Sequence, residues 1–129
     1  MTGILKGKVV LVTGAGVGIG LATSWAFAEA GASVVLADRD EQALSKGAEE
    51  IRAAGYDALG LKCDVTDKVQ VTKTMERAVA TYGRLDAAFN NAGVNSEGAS
   101  LLDTSDEEFE RIINVNLRGV WNCMTWEMT

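Results

Sequence analysis

Thr13-Gly14-Ala15-Gly16-Val17-Gly18-Ile19-Gly20 follows the apolar run Val9-Val10-Leu11-Val12 and leads into a segment of helical periodicity. In an α/β unit a phosphate-binding turn occupies this place, between the end of a strand and the first turn of a helix. Glycine lets the chain turn with φ > 0 and approach a ligand with no Cβ in between. The unpaired N–H groups at the helix start then face an anion. The common fingerprint G-x-G-x-x-G does not fit, because its third glycine falls on Ile19 counted from Gly14 and on Leu21 counted from Gly16. The pattern present is T-G-x-x-x-G-x-G, with Gly14, Gly16, Val17, Gly18, Ile19 and Gly20 as candidate phosphate-side contacts.

Outward from this turn, runs rich in Val and Leu alternate with longer segments of 3.6-residue periodicity. Strands are expected over 9–12, 33–37, 58–63 and 85–90. The first is apolar at every position, as in a strand buried on both faces. Helices are expected over 19–30, from the cap Asp40 to the stop at Gly55, and from a cap at Thr66 or Asp67 through Val69, Met75, Val79 and Tyr82 to Gly83. A last helix starts at Thr104 or Ser105, whose acidic first turn Asp106-Glu107-Glu108 suits the positive end of a helix dipole. Phe109, Ile112, Ile113, Val115, Leu117 and Val120 predict that it is long and largely buried. Strands alternating with helices imply parallel pairing through right-handed crossovers. The expectation is a Rossmann-type, doubly wound α/β sheet of order 3-2-1-4, with the ligand at the carboxyl ends of strands 1 and 4.

The chain has 129 residues, 47% hydrophobic and 23% charged, which is one globular domain by size, and no linker divides it. A net charge of −6 without a basic run argues against a nucleic-acid or anionic-membrane surface. Cys63 and Cys123 lack C-x-x-C spacing and there is no His, so neither a metal site nor a disulfide framework is expected. Residues 1–8 hold no apolar core of signal-peptide length, and no segment approaches the ~18 apolar residues of a membrane span. A cytoplasmic protein is the expectation.

Asp38 stands at the end of the second strand about 20 residues beyond the glycine turn, where an acid hydrogen-bonds the adenosine ribose of a dinucleotide. Its charge would repel a 2′-phosphate, so NAD is preferred over NADP, although Arg39 follows and could receive that phosphate. Asp64-Val65 closes the third strand and Asn90-Asn91-Ala92-Gly93 the fourth, both at the edge where the ligand is expected. Alone, Asp38 and Asp64 read equally as residues preceding helix caps, and Asn90 and Asn91 as turn formers. Asn114 falls mid-helix, where Asn is a poor helix former; by itself it reads as part of a solvated face with Asn116 and Arg118.

Taken together, T-G-x-x-x-G-x-G, Asp38, Asp64-Val65, Asn-Asn-Ala-Gly and Asn114 resemble the short-chain dehydrogenase/reductase family. The resemblance implies that Asp64 and Val65 contact adenine and that Asn91, Ala92 and Gly93 border the ribose and nicotinamide. It further implies that Asn114 belongs to a catalytic tetrad, its helix distorted so that its carbonyl holds a water in a proton relay. The implied reaction is hydride transfer between NAD and a small alcohol or carbonyl substrate. That reaction uses a Ser, a Tyr as acid/base and a Lys four residues after the Tyr. None can be placed here: Tyr56 and Tyr82 are followed four residues on by Gly60 and Asp86, and the last lysine is Lys73. The chain is therefore expected to be the cofactor-binding half of such an enzyme, inactive alone. The alternatives are a non-catalytic nucleotide-binding module or a structural half-domain. Trp25, Phe27, Phe109, Trp121 and Trp126 read as packing or interface residues. Self-association is expected through the edge of strand 4 or through the last helix.

Overall fold

The computed structural model describes residues 3–129; Met1 and Thr2, the start of the segment read for a leader, lie outside the described residues. Four strands, β1 (Val9–Thr13), β2 (Ser33–Asp38), β3 (Ala58–Lys62) and β4 (Ala87–Phe89), form one parallel sheet in the order β3-β2-β1-β4. Helices α1 (Gly18–Glu29), α2 (Glu41–Ala53) and α3 (Lys68–Tyr82) make the crossovers. This is the expected Rossmann-type, doubly wound arrangement.

The continuous apolar character of β1 and β2 follows from burial on both faces. Val9 and Leu11 join Val35, Ala37, Val71, Met75 and Cys123 in the core on the α3 side. Val10 and Val12 join Val34, Leu36, Ala28, Leu44 and Ile51 in the core on the α1 and α2 side. Successive strand residues point to opposite faces, so a strand covered on both sides has no polar position to spare. Leu11 and Leu36 are fully buried, each contributing about 1.5–3 kcal/mol of apolar burial.

Helix ends carry out their sequence signals. Asp40 caps α2, accepting from the amide of Ala43. Of the two candidates for α3, Asp67 is the cap, accepting from Val69 and Gln70. Of the two for the last helix, Ser105 is the cap, accepting from Glu108. Gly31, at φ +100°, ends α1: its amide bonds to Ala28 and that of Ala32 to Phe27, a Schellman closure.

Helix α3 runs through Val69, Met75, Val79 and Tyr82 to Gly83 as expected, burying Val71, Thr74, Met75 and Ala78 and leaving Val69 exposed. Two expectations need correction. The fourth strand covers Ala87–Phe89 rather than 85–90, because the amide of Asn91 turns back to the carbonyl of Phe89 at 2.9 Å and takes the chain out of the ladder at Asn90. The last helix is not largely buried. It runs as α4 (Asp106–Ile113), a π-helical turn (Asn114–Arg118) and α5 (Gly119–Glu127), and α4 buries no residue. The wider turn rotates the faces on either side of it. Gly119, Asn122 and Cys123 of α5 face the core, while Phe109, Leu117 and Trp121 stay more than half exposed.

Candidate functional site

The carboxyl ends of β1, β2, β3 and β4 open onto a cleft of about 480 Å³. Its wall holds Gly14, Val17, Gly18 and Ile19 from the glycine turn, Asp38 and Arg39 after β2, Asp64 and Val65 after β3, and Asn91, Ala92 and Gly93 after β4. Gly16 and Gly20, also singled out in the sequence, shape the turn from behind this wall. A Cβ on Gly16 would come within 3.0 Å of Asp38 Oδ2, and one on Gly20 would run into the carbonyl of Gly14. Gly14, at φ +62°, passes so near the backbone of Ala92 that a Cβ would approach it to 2.9 Å.

Hydrogen bonds tie the turn to both neighbouring strands. The amide of Gly16 donates to Asp38 Oδ2 at 2.9 Å, and that of Ala15 to the carbonyl of Ala37 at 3.1 Å. On the other side, Asn91 Nδ2 donates to the carbonyl of Thr13 at 3.2 Å, and the amide of Ala92 to Thr13 Oγ1 at 3.0 Å. The start of α1 differs from that of α2, α3 and α4 in having no side-chain cap. Its positive end lies on the cleft wall at Val17, Gly18 and Ile19, where an anion would complete it.

Asp38 Oδ1 accepts the amide of Asp40 at 2.9 Å, which fixes the carboxylate while each oxygen keeps a second lone pair. Asp64 Oδ1 accepts both the amide and the hydroxyl of Thr66, and its own amide donates to Gln70 Oε1. Val65 is held from α5: Asn122 Nδ2 donates to its carbonyl at 2.9 Å, and the bare Cα of Gly119 lies over its side chain. Burial pushes the Cys63 thiol up from its ordinary value, with the charge of Asp64 adding to the effect, so this cleft-side cysteine is an inert thiol.

Asn114 opens the π-helical turn, and its carbonyl accepts the amide of Gly119 five residues on. Its neighbour Val115, not Asn114 itself, reaches the cleft wall. Several supporting residues escaped the sequence reading. Asn116 grips Val94 with both ends of its amide, accepting the Val94 N–H and donating to the Val94 carbonyl, each at 2.8 Å. Thr13 serves through its hydroxyl, and Asn122 is a buried polar residue on an inward helix face. Asn116 and Asn122 share one signal, an Asn inside a helix, which costs propensity and calls for a partner.

The short chain dehydrogenase family model matches residues 8–128. The chain belongs to the short-chain dehydrogenase/reductase family. It is 42% identical over 120 residues to an uncharacterized oxidoreductase of Thermotoga maritima, covering 93% of this chain and 46% of that protein. Among solved structures it is similar to a 3-ketoacyl-(acyl-carrier-protein) reductase from Brucella melitensis complexed with NADH, at a TM-score of 0.89 and 38% identity, over 94% of this chain and 48% of that one. A short-chain dehydrogenase/reductase from Burkholderia phymatum in complex with NAD superposes at a TM-score of 0.88 with 35% identity, over 95% of this chain and 43% of that one. The chain thus spans about half the length of the relatives it matches.

Proposed function

We propose that residues 1–129 form a single NAD-binding domain, the cofactor-binding half of an NAD-dependent short-chain oxidoreductase. One observation carries this reading: an uncapped helix start, a fixed carboxylate at Asp38 and the segment Asn91, Ala92 and Gly93 converge on one cleft at the carboxyl edge of the sheet. The pyrophosphate would lie on the glycine turn and the start of α1, the adenosine ribose on Asp38, and adenine beside Asp64 and Val65. Asp38 and the nearby cap Asp40 together disfavour a 2′-phosphate, so NAD is the preferred cofactor even with Arg39 on the wall.

In this account NAD supplies the hydride acceptor, and the chain's residues bind and orient it. Asn114 has the catalytic role of holding a relay water through its carbonyl, which the π-helical turn sets apart from an ordinary helical one. The substrate is a small alcohol or carbonyl compound, and the two free thiols suit a reducing compartment such as the cytoplasm. Among the described residues no helix is long and apolar enough to cross a membrane. Calorimetry with NAD and NADP, beside a turnover assay over a panel of alcohols, tests the proposal. Binding that favours NAD, without turnover, is the expected result; turnover by these 129 residues would overturn the half-enzyme reading.

A second reading, a nucleotide-binding module without chemistry, draws on the position of the tyrosines. Tyr82 donates its hydroxyl to Asp57 at 2.9 Å, and Tyr56 stacks edge-on against Trp25. Both belong to the amino edge of the sheet, a five-residue β3 or about 16 Å from the cleft. Neither can act as the acid/base. We also propose self-association through the last helix, where Phe109, Leu117 and Trp121 leave an apolar row in solvent. A sedimentation profile of a single monomeric species would contradict that.

A further inference from the structure

One half-buried polar pair takes no direct part in the cleft. Asn90, where the chain leaves β4, donates from Nδ2 to Glu127 Oε1 at 2.7 Å, across 37 residues of sequence. The remaining atom of each group, Asn90 Oδ1 and Glu127 Oε2, is sealed from solvent and has no hydrogen-bond partner among the described residues. Unpaired buried acceptors are costly. A carboxylate can only accept, whereas the protonated acid carries one O–H donor. A single proton on Oε2 would supply the donor that both orphans lack, in a ring of two complementary bonds, one of them the bond observed.

The surroundings favour the uncharged form. On α5, Cys123 sits one turn before Glu127 in the apolar core, with Trp126 packed against the same cluster. The Cys123 thiol is pushed up to about 12, by burial first and by Glu127 second. On α3, which packs against α5, the titratable member of that cluster is Tyr82, whose hydroxyl is already given to Asp57. Ahead of β4, Asp86 is taken up by Arg84 and the amide of Val9. No ion pair among the described residues includes Glu127. Burial raises its carboxyl above the ordinary glutamate range, against the opposing pull of the Asn90 bond.

We propose that Glu127 works as an uncharged acid, Oε2–H donating to Asn90 Oδ1 while Oε1 accepts from Asn90 Nδ2, and that this closed pair is a positioning device for the cofactor segment. Asn90 is the centre of the turn closed by the amide of Asn91 on Phe89, and the next two residues reach Thr13 and Gly14. Locking the Asn90 side chain fixes the angle at which Asn91 and Ala92 meet the glycine turn. The functional half of this inference rests on the NAD-binding reading; the protonation half does not.

Glu127→Gln separates the possibilities, since its amide reproduces both bonds of the neutral acid and cannot ionise. In the unaltered 129-residue chain, the carboxyl ¹³C resonance that Glu127→Gln removes should titrate above the ordinary value of about 4.3. A raised folded value gives stability that is whole below the unfolded value and is lost as pH rises through the folded one. The urea midpoint should therefore fall across that titration in the unaltered chain and stay flat in Glu127→Gln. NAD affinity should be unchanged in Glu127→Gln and about fivefold weaker in Glu127→Ala. Titration at or below the ordinary value would overturn the proposal, as would a Glu127→Gln chain as unstable and as weak in NAD binding as Glu127→Ala. Failure of the unaltered chain to bind NAD would defeat the cofactor reading and the positioning role with it, while the titration and urea profile would still decide the pair.

Discussion

Asp38 Oδ2 accepts the amide of Gly16 at 2.9 Å, so the residue that ends β2 also holds the middle of the glycine turn. One carboxylate thus has two tasks, shaping the turn and presenting charge to the cleft. Asp38→Ala removes both, and loss of a charged hydrogen bond to the ribose predicts a fall in NAD affinity of ~1.5–3 kcal/mol. Asp38→Asn keeps an acceptor for Gly16 and drops the charge. Calorimetry should show the Asn variant losing its preference against NADP while retaining more NAD affinity than the Ala variant.

Gly20 and Gly18 separate steric support from ligand contact. A Cβ on Gly20 meets the Gly14 carbonyl and Asn91 Nδ2, so Gly20→Ala should displace the turn and destabilise the fold by about 1–3 kcal/mol in urea unfolding. A Cβ on Gly18 meets nothing, although its φ of +57° adds strain of about 1–2 kcal/mol. Gly18→Ala should therefore stay folded and lose NAD binding, because its methyl group enters the cleft.

Thr13 is buried at the end of β1, and its hydroxyl accepts the amide of Ala92. Thr13→Val keeps the shape and leaves that amide without its partner, at a cost of about 1–3 kcal/mol. The loss should appear in urea unfolding, with faster amide exchange at Ala92 than in the unaltered chain.

Asp86 sets an acid-side limit. The hydrogen bond from Arg84, followed by the amide of Val9, holds its carboxyl below the usual aspartate value. A lowered folded value gives stability that is present above the unfolded value and is lost as pH falls through the folded one. In urea unfolding Asp86→Asn should therefore be destabilised most at neutral pH, and its difference from the unaltered chain should shrink as pH falls below about 4.

The sheet was legible because its signals are local: β1 over Val9–Val12 and β2 over Val34–Ala37 are continuously apolar, and caps such as Asp40 sit beside the helices they start. Strand order followed from the same alternation. The last helix misled because a π-helical turn at Asn114 shifts the phase of its faces, and a periodicity count carries Phe109 and Leu117 into a core where the buried residues of this helix begin at Gly119. The cleft was legible residue by residue, as positions at strand ends. Its supports were not, because Asn116 to Val94, Asn122 to Val65 and Glu127 to Asn90 are long-range pairings whose partners carry no mark in the sequence.

The most direct test of the NAD-binding account is titration of the ¹⁵N-labelled chain with NAD, following amide resonances to saturation. The account predicts that the largest shifts fall on Gly14, Gly18, Ile19, Asp38 and Asn91 to Gly93, with weaker shifts from NADP at the same concentration. Unmoved resonances at those positions, or shifts centred elsewhere on the sheet, would contradict it.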